Sequence, residues 1–274
     1  MLKTRVMTAL GLLVVFLAAL FWLPPVAWAV FVGALVVPAA WEWGRLIQLT
    51  RTACSLYVLV VVVCFALLFW TTLESGASGP LLPAIFLAAS LFWIAVVPLW
   101  LWRSRLPQAR GLVSLTGVLV LVPSCLALVQ LRHLSPLLLW LLMSVVWISD
   151  TAAYFAGRRF GRRRLAPAIS PGKSWEGVAG AALAVSLYAL FWVYAWQDYL
   201  PRVFKSTRFA ASAMLLFLWL LTAMGIYGDL FESALKRRAG VKDSGTLLPG
   251  HGGVLDRVDA LIAVLPIAAL VYLL

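Results

Sequence analysis

The sequence predicts an all-α, polytopic integral membrane protein with about nine transmembrane helices. Three observations lead there. Hydrophobic residues make up 64% of the 274 and charged residues only 12%, where a soluble domain has about 45–50% and about 25%. Apolar runs recur along the whole chain at the length a bilayer requires, about 20 residues per helix. The basic residues fall mainly on alternate connectors between those runs, as the insertion bias of Lys and Arg demands.

Nine runs, near 6–23, 25–41, 55–73, 80–102, 111–130, 136–156, 177–197, 209–231 and 259–274, supply the helices. A helix keeps all its backbone hydrogen bonds within one segment, which lipid requires. The first run opens like a secretory signal, with Lys3 and Arg5 before it and Ala27-Trp28-Ala29 after it. A second run follows at once, which makes the first an uncleaved span. Pro24 and Pro25 alone separate these two, and elsewhere Pro and Gly sit mainly near the joints as punctuation. The ninth run is short. Neither a soluble domain nor an internal repeat interrupts the pattern. About five spans fill 1–134 and about four fill 135–274, a catalytic region whose cytoplasmic connectors 157–175 and 233–258 concentrate the polar residues.

With the N-terminus in the cytoplasm, nine crossings leave the C-terminus outside. Of the 22 basic residues only Arg132, Arg202, Lys205 and Arg208 then lie outside; the other eighteen lie inside. Retention of those charges accounts for the formal net charge of +12 without a nucleic acid, whose binding asks for one continuous basic face. Cys54, Cys64 and Cys125 lie in or beside apolar runs with no CxxC spacing, so they imply neither a disulfide framework nor a zinc site.

Two inside segments differ from ordinary connectors. After Asp150-Thr151 at the end of the sixth run comes a basic stretch, then Ile169-Ser170-Pro171-Gly172-Lys173-Ser174-Trp175-Glu176-Gly177. Arg158, Arg159, Arg162, Arg163 and Arg164 are explained by topology and by attraction to anionic headgroups, about 1 kcal/mol each. Lys173 stands apart, because its Ser, Pro and Gly neighbours suit a fixed turn that offers N–H groups to a phosphate. The Gly172-Lys173-Ser174 triplet is not a P-loop: that motif needs a glycine five residues earlier, and Pro167 occupies the position.

The second segment holds Asp229, Glu232, Ser233, Lys236, Arg237, Lys242, Asp243, His251 and Asp256-Arg257-Val258-Asp259, with Gly250, Gly252 and Gly253 among them. If the eighth run stays helical, Asp229, either Glu232 or Ser233, and Lys236 share one face. Asp256 and Asp259 share a face at the start of the ninth, where a helix dipole favours carboxylates. Acids at membrane depth are costly and mark function. Several oxygen ligands suggest Mg²⁺ held by one or two carboxylates plus substrate phosphates. His251 lies among glycines rather than on an apolar face, which suits a phosphate contact or proton shuttle. The glycines allow close backbone approach to a ligand. A salt-bridged connector would explain a single pair such as Glu232 with Lys236, but not this crowding.

From Ser233-Ala234-Leu235-Lys236-Arg237 through Lys242-Asp243, Pro249 and His251-Gly252-Gly253 to Asp256-Arg257-Val258-Asp259, the chain resembles the signature of the phosphatidate cytidylyltransferase family (CDP-diacylglycerol synthases) of bacterial membranes. The likeness extends over Asp150 to Gly177 and more loosely to Trp41-Glu42-Trp43-Gly44. It departs at Ala152, where the family commonly has Gly. The resemblance implies a helical, homodimeric protein of the bacterial plasma (inner) membrane with a polar cavity open to the cytoplasm. It implies CTP and phosphatidic acid as substrates, CDP-diacylglycerol and pyrophosphate as products, and Mg²⁺ as cofactor, with room for a companion K⁺. Asp229 and Asp256 would be metal ligands. Lys236, Arg237, Lys242, Asp243, His251 and Asp259 would be catalytic. Asp150, Ser170, Lys173, Ser174, Ser233, Gly252, Gly253 and Arg257 would bind substrate.

The nucleophile would be a phosphate oxygen that is already anionic, so catalysis is positioning and charge neutralisation rather than base chemistry. A CTP-dependent lipid kinase would release CDP instead of pyrophosphate. An ion-coupled transporter would place acids in mid-helix and repeat its halves, whereas here the acids gather at one face.

Overall fold

The computed structural model describes residues 2–75, 80–103, 106–205, 209–248, 250 and 252–274. Each apolar run folds as helix. In order these are α1 (Leu2–Trp22), α2 (Pro25–Leu46), α3 (Arg51–Ser75), α4 (Leu81–Leu91), α5 (Val97–Trp102), α6 (Arg110–Leu134), α7 (Pro136–Phe160), α8 (Trp175–Ala195), the short α9 (Arg202–Lys205), α10 (Ala210–Ala239), the one-turn α11 (Leu255–Val258) and α12 (Leu261–Leu273). A π-helical turn, Phe92–Val96, joins α4 and α5 into one rod. Among the described residues that rod, with α2, α3, α6, α7, α8 and α10, gives seven helices long and apolar enough to cross a membrane; Leu10–Trp22 and Leu261–Leu273 are shorter apolar helices.

Local chemistry sets the ends. Ser135 caps α7 by accepting from Leu138 N–H at 3.4 Å, with Pro136 at the first helical position. Ser174 caps α8 by accepting from Gly177 N–H at 3.2 Å, which starts that helix two residues before the apolar run. Gly240, at φ +72°, closes α10 in the left-handed conformation that glycine adopts without penalty. The prolines are not all punctuation: Pro38, Pro123 and Pro266 lie inside helices. Pro98 can neither donate to the Ile94 carbonyl nor clear it sterically, and the widened π turn just before it takes up the mismatch.

One departure from the all-α expectation lies in the first polar connector. β1 (Arg164–Ala166) pairs antiparallel with β2 (Ser170–Ser174) as a small hairpin. Glu176 ties its base, accepting from Arg162 N–H at 3.0 Å and Arg163 N–H at 3.2 Å.

Helix α10 is the hub, packed on α2, α7, α8, α12 and the α4–α5 rod. Helix α12 is buried without a break from Leu261 to Ala269, lodged among α4, α6 and α10, as an all-round apolar helix should be. The Phe231 ring of α10 sits among Trp43, Phe92, Trp93 and Trp100, with centroids 5.7–6.3 Å away. It fixes the rotation of α10 beneath the polar end of the bundle.

Candidate functional site

Helix α10 stays helical through Asp229 and on to Ala239, so its polar residues form one stripe. Asp229 accepts from the Ser233 hydroxyl at 3.2 Å. Glu232 is 1% exposed and pairs with Lys236. The face left open between Glu232 and Ser233 therefore uses both. Glu232 had been no more than one of two alternatives there, because i+3 and i+4 straddle the same direction.

The 255–259 segment runs back along this stripe. Lys236 Nζ lies 2.6 Å from Asp256 Oδ1. Asp256 Oδ2 accepts from Ser244 N–H at 2.9 Å and Gly253 N–H at 2.8 Å, with the Ser244 hydroxyl oxygen 3.0 Å away. Burial pushes the Asp256 carboxyl up, but the Lys236 and backbone hydrogen bonds outweigh it and hold the group below its usual range. Further along, the Asp259 backbone packs on Gly228: a Cβ there would come within 2.4 Å of the Asp259 carbonyl. Burial and then the Asp229 charge push Asp259 up to about 7.

The hairpin closes a third side. Lys173 Nζ lies 2.5 Å from Asp229 Oδ2, and Asp150, on the exposed side of α7, is within electrostatic reach of both. Arg237 Nε donates to Ile169 O at 3.3 Å, holding the hairpin loop to α10. Arg238 donates to the carbonyls of Pro107 and Gln108. Between these arginines lies a cavity of about 670 Å³, with Trp100, Leu101 and Leu106 as its apolar wall.

Lys173, Asp229, Ser233, Lys236, Asp256 and Asp259 are thus brought together, with Asp150 beside them. Ser174 is spent as the α8 cap, and Ser170 opens β2 opposite Ala166. Lys242, Asp243 and Arg257 are exposed at the rim. His251 lies outside the described residues. Gly252 (φ +79°) and Gly253 approach side chains of this chain: a Cβ on Gly252 would lie 2.6 Å from Asp256 Oδ2, and one on Gly253 2.3 Å from Glu42 Oε2.

Glu42, which the loose likeness at Trp41-Glu42-Trp43-Gly44 includes, was given no role from the sequence. It is 4% exposed on α2, and it accepts from Val254 N–H and Leu255 N–H, each at 2.9 Å, and from the Ser244 hydroxyl at 2.8 Å. A lone acid just past the end of an apolar run was the available signal.

Among the described residues no three His, Cys, Asp or Glu side chains gather into a metal site of their own. A magnesium ion sharing its sphere with substrate phosphates needs only one or two carboxylates. Asp229 and Asp259 meet that number, Asp229 with Oδ1 accepting from Ser233 and Oδ2 facing Lys173, and Asp259 with Oδ1 accepting from Ala260 N–H, so an ion there would displace Lys173. Asp256, the second ligand expected from the sequence, has both oxygens taken by Lys236, Ser244 and Gly253.

Residues 3–274 match the cytidylyltransferase family. A phosphatidate cytidylyltransferase of Pseudomonas aeruginosa is 39% identical over 283 residues, covering 98% of this chain and 96% of the relative. One from Haemophilus influenzae is 33% identical, covering 99% of each. One from Thermotoga maritima is 45% identical over 132 residues, covering 48% of this chain and 47% of the relative.

Proposed function

The chain belongs to the cytidylyltransferase family, and on that premise we propose how its polar end works. It transfers the cytidylyl group of CTP to phosphatidate, giving CDP-diacylglycerol and pyrophosphate. A phosphate oxygen of phosphatidate attacks the α-phosphorus of CTP; the new P–O bond forms as the α–β anhydride bond breaks and pyrophosphate leaves.

The observation that carries the mechanism is the convergence of Lys173, Asp229, Lys236, Asp256 and Asp259 at one end of the helices. Two anionic substrates meet there, and their repulsion has to be neutralised before the oxygens can approach. Lys173 and Lys236 supply compact charges, Arg237 a planar fork suited to phosphate, and Lys242 a further cation at the rim. Asp229 and Asp259 would hold Mg²⁺, with Asp256 joining only where Lys236 yields its oxygen; when bound, the ion neutralises phosphate charge and orients the leaving group. A companion K⁺ would find acids in the same cluster. Asp150, Ser170, Ser233 and Arg257 would contact the substrates, and the neighbouring cavity sets apolar surface beside Arg237 and Arg238, the combination a phosphate-headed lipid needs.

The charge bias supports nine crossings of a bacterial inner membrane, N-terminus inside and C-terminus outside, with this site open to cytosolic CTP. The protein is proposed to act as a homodimer. Purified protein given α-labelled CTP, phosphatidate and Mg²⁺ should move the label onto lipid and release pyrophosphate, as read by lipid chromatography. Label left in CDP, with an unlabelled phosphorylated lipid, would mark a kinase and end the proposal.

A further inference from the structure

We infer that Glu42 is a positioning residue of the active site: the group through which α2 seats the connector at Ser244 and at Val254–Leu255 and, through Ser244, aims the Asp256 carboxyl. The inference deepens the family reading and rests on it only for what that connector does. Glu42 lies near the end of an apolar helix, and no basic side chain pairs with it among the described residues. A buried carboxyl is costly unless hydrogen-bonded. Its partners all come from one connector: Val254 N–H on Oε1, and Leu255 N–H with the Ser244 hydroxyl on Oε2. Three bonds to two oxygens pin the connector at both ends of the glycine turn.

Ser244 carries the effect onward. Its hydroxyl lies near both Glu42 Oε2, at 2.8 Å, and Asp256 Oδ2, at 3.0 Å, but it has one proton to give. Asp256 Oδ2 already accepts two backbone N–H groups, so the proton goes to Glu42 while the Ser244 N–H serves Asp256. Asp256 in turn orients Lys236. The glycines complete the seat, since a Cβ on Gly245 would fall 2.6 Å from Glu42 Oε1 and one on Gly253 2.3 Å from Oε2. Two glycines of this connector thus make room for a carboxyl that arrives from α2.

Glu42→Gln tests this in full-length protein reconstituted into phosphatidate-containing bilayers. The shape is kept, but in either orientation of the amide one backbone N–H, of Val254 or of Leu255, meets a donor. Amide exchange over 244–255 should quicken about tenfold or more, the scale of one forfeited buried hydrogen bond, while α6 and α8 exchange as in wild type. Cytidylyl transfer should lose kcat about tenfold with KM for CTP little changed, the pattern of an interaction needed in the transition state. Combining it with Ser244→Ala should add little further loss, because both act through one chain of contacts. Unchanged exchange over 244–255, unchanged kcat, or additive losses would each overturn the inference. If Glu42→Gln fails to insert, Glu42→Asp keeps both oxygens one methylene short and should show the same ordering at smaller size. Wild type that makes no CDP-diacylglycerol would refute the family reading, and the exchange experiment would still decide the role of Glu42.

Discussion

At the scale of single residues, the site is a small number of charges whose partners are specific. Asp229 accepts from Ser233 and faces Lys173. Asp229→Asn keeps the size and removes the charged ligand, so turnover per folded molecule should fall about a hundredfold or more while the protein still inserts. Wild-type turnover with unchanged Mg²⁺ dependence would remove Asp229 from the metal site. Lys173→Ala should cost more catalytic efficiency than Arg163→Ala, because Lys173 holds a defined position on β2. Arg163 is exposed and contributes its backbone N–H to Glu176, which alanine retains. Equal losses in the two variants would place the structured part of this connector elsewhere. Most of these residues were legible in the sequence, since they crowd into two short segments of an otherwise apolar chain. The role of Glu42 was not, because its partner Ser244 lies 202 positions away and no local spacing connects them. Nor was the pairing of Asp256 with Lys236, Ser244 and Gly253, which depends on where those groups point in the fold.

At the scale of elements, every apolar run became a helix, because length and hydrophobicity in lipid leave the backbone one open-chain solution. The hairpin escaped notice for the opposite reason. Its second strand, Ser170-Pro171-Gly172-Lys173-Ser174, has none of the alternation or branched residues that announce a strand; it is held by Glu176, Arg237 and the pairing itself. The crossing of α10 with the segment before α12 depends on Gly228, against which the Asp259 carbonyl rests. Gly228→Ala would force backbone rather than a flexible side-chain tip to move, at a cost of about 1–3 kcal/mol for overpacking. We expect a lower thermal midpoint in detergent together with weaker transfer activity, since Asp259 would shift away from Asp229. An alanine variant with wild-type midpoint and turnover would show that the two helices can separate freely at this crossing.

At the scale of the whole molecule, the polar residues gather at one end of the bundle, and the proposal from the charge bias is that this end faces the cytoplasm. Cysteine reporters decide it. Ser244 is buried between Glu42 and Asp256 and makes a poor reporter, whereas Arg163 and Thr246 are exposed. Arg163→Cys and Thr246→Cys should stay unlabelled by an impermeant thiol reagent in sealed cells and react once the membrane is opened. Labelling of both in sealed cells would invert the topology and separate the site from cytosolic CTP. The hydrogen bonds from α2 to the 244–255 connector also bear on how such a chain can be recombined. A hybrid enzyme spliced between residues 134 and 135 takes its seat from one parent and its connector from the other. It will work only when the incoming first half presents a carboxyl at the same depth, and a functional hybrid with a close relative would lose activity on replacing that one side chain. The unit that has to be inherited together is therefore not a contiguous stretch of sequence, but a helix and a turn at opposite ends of it.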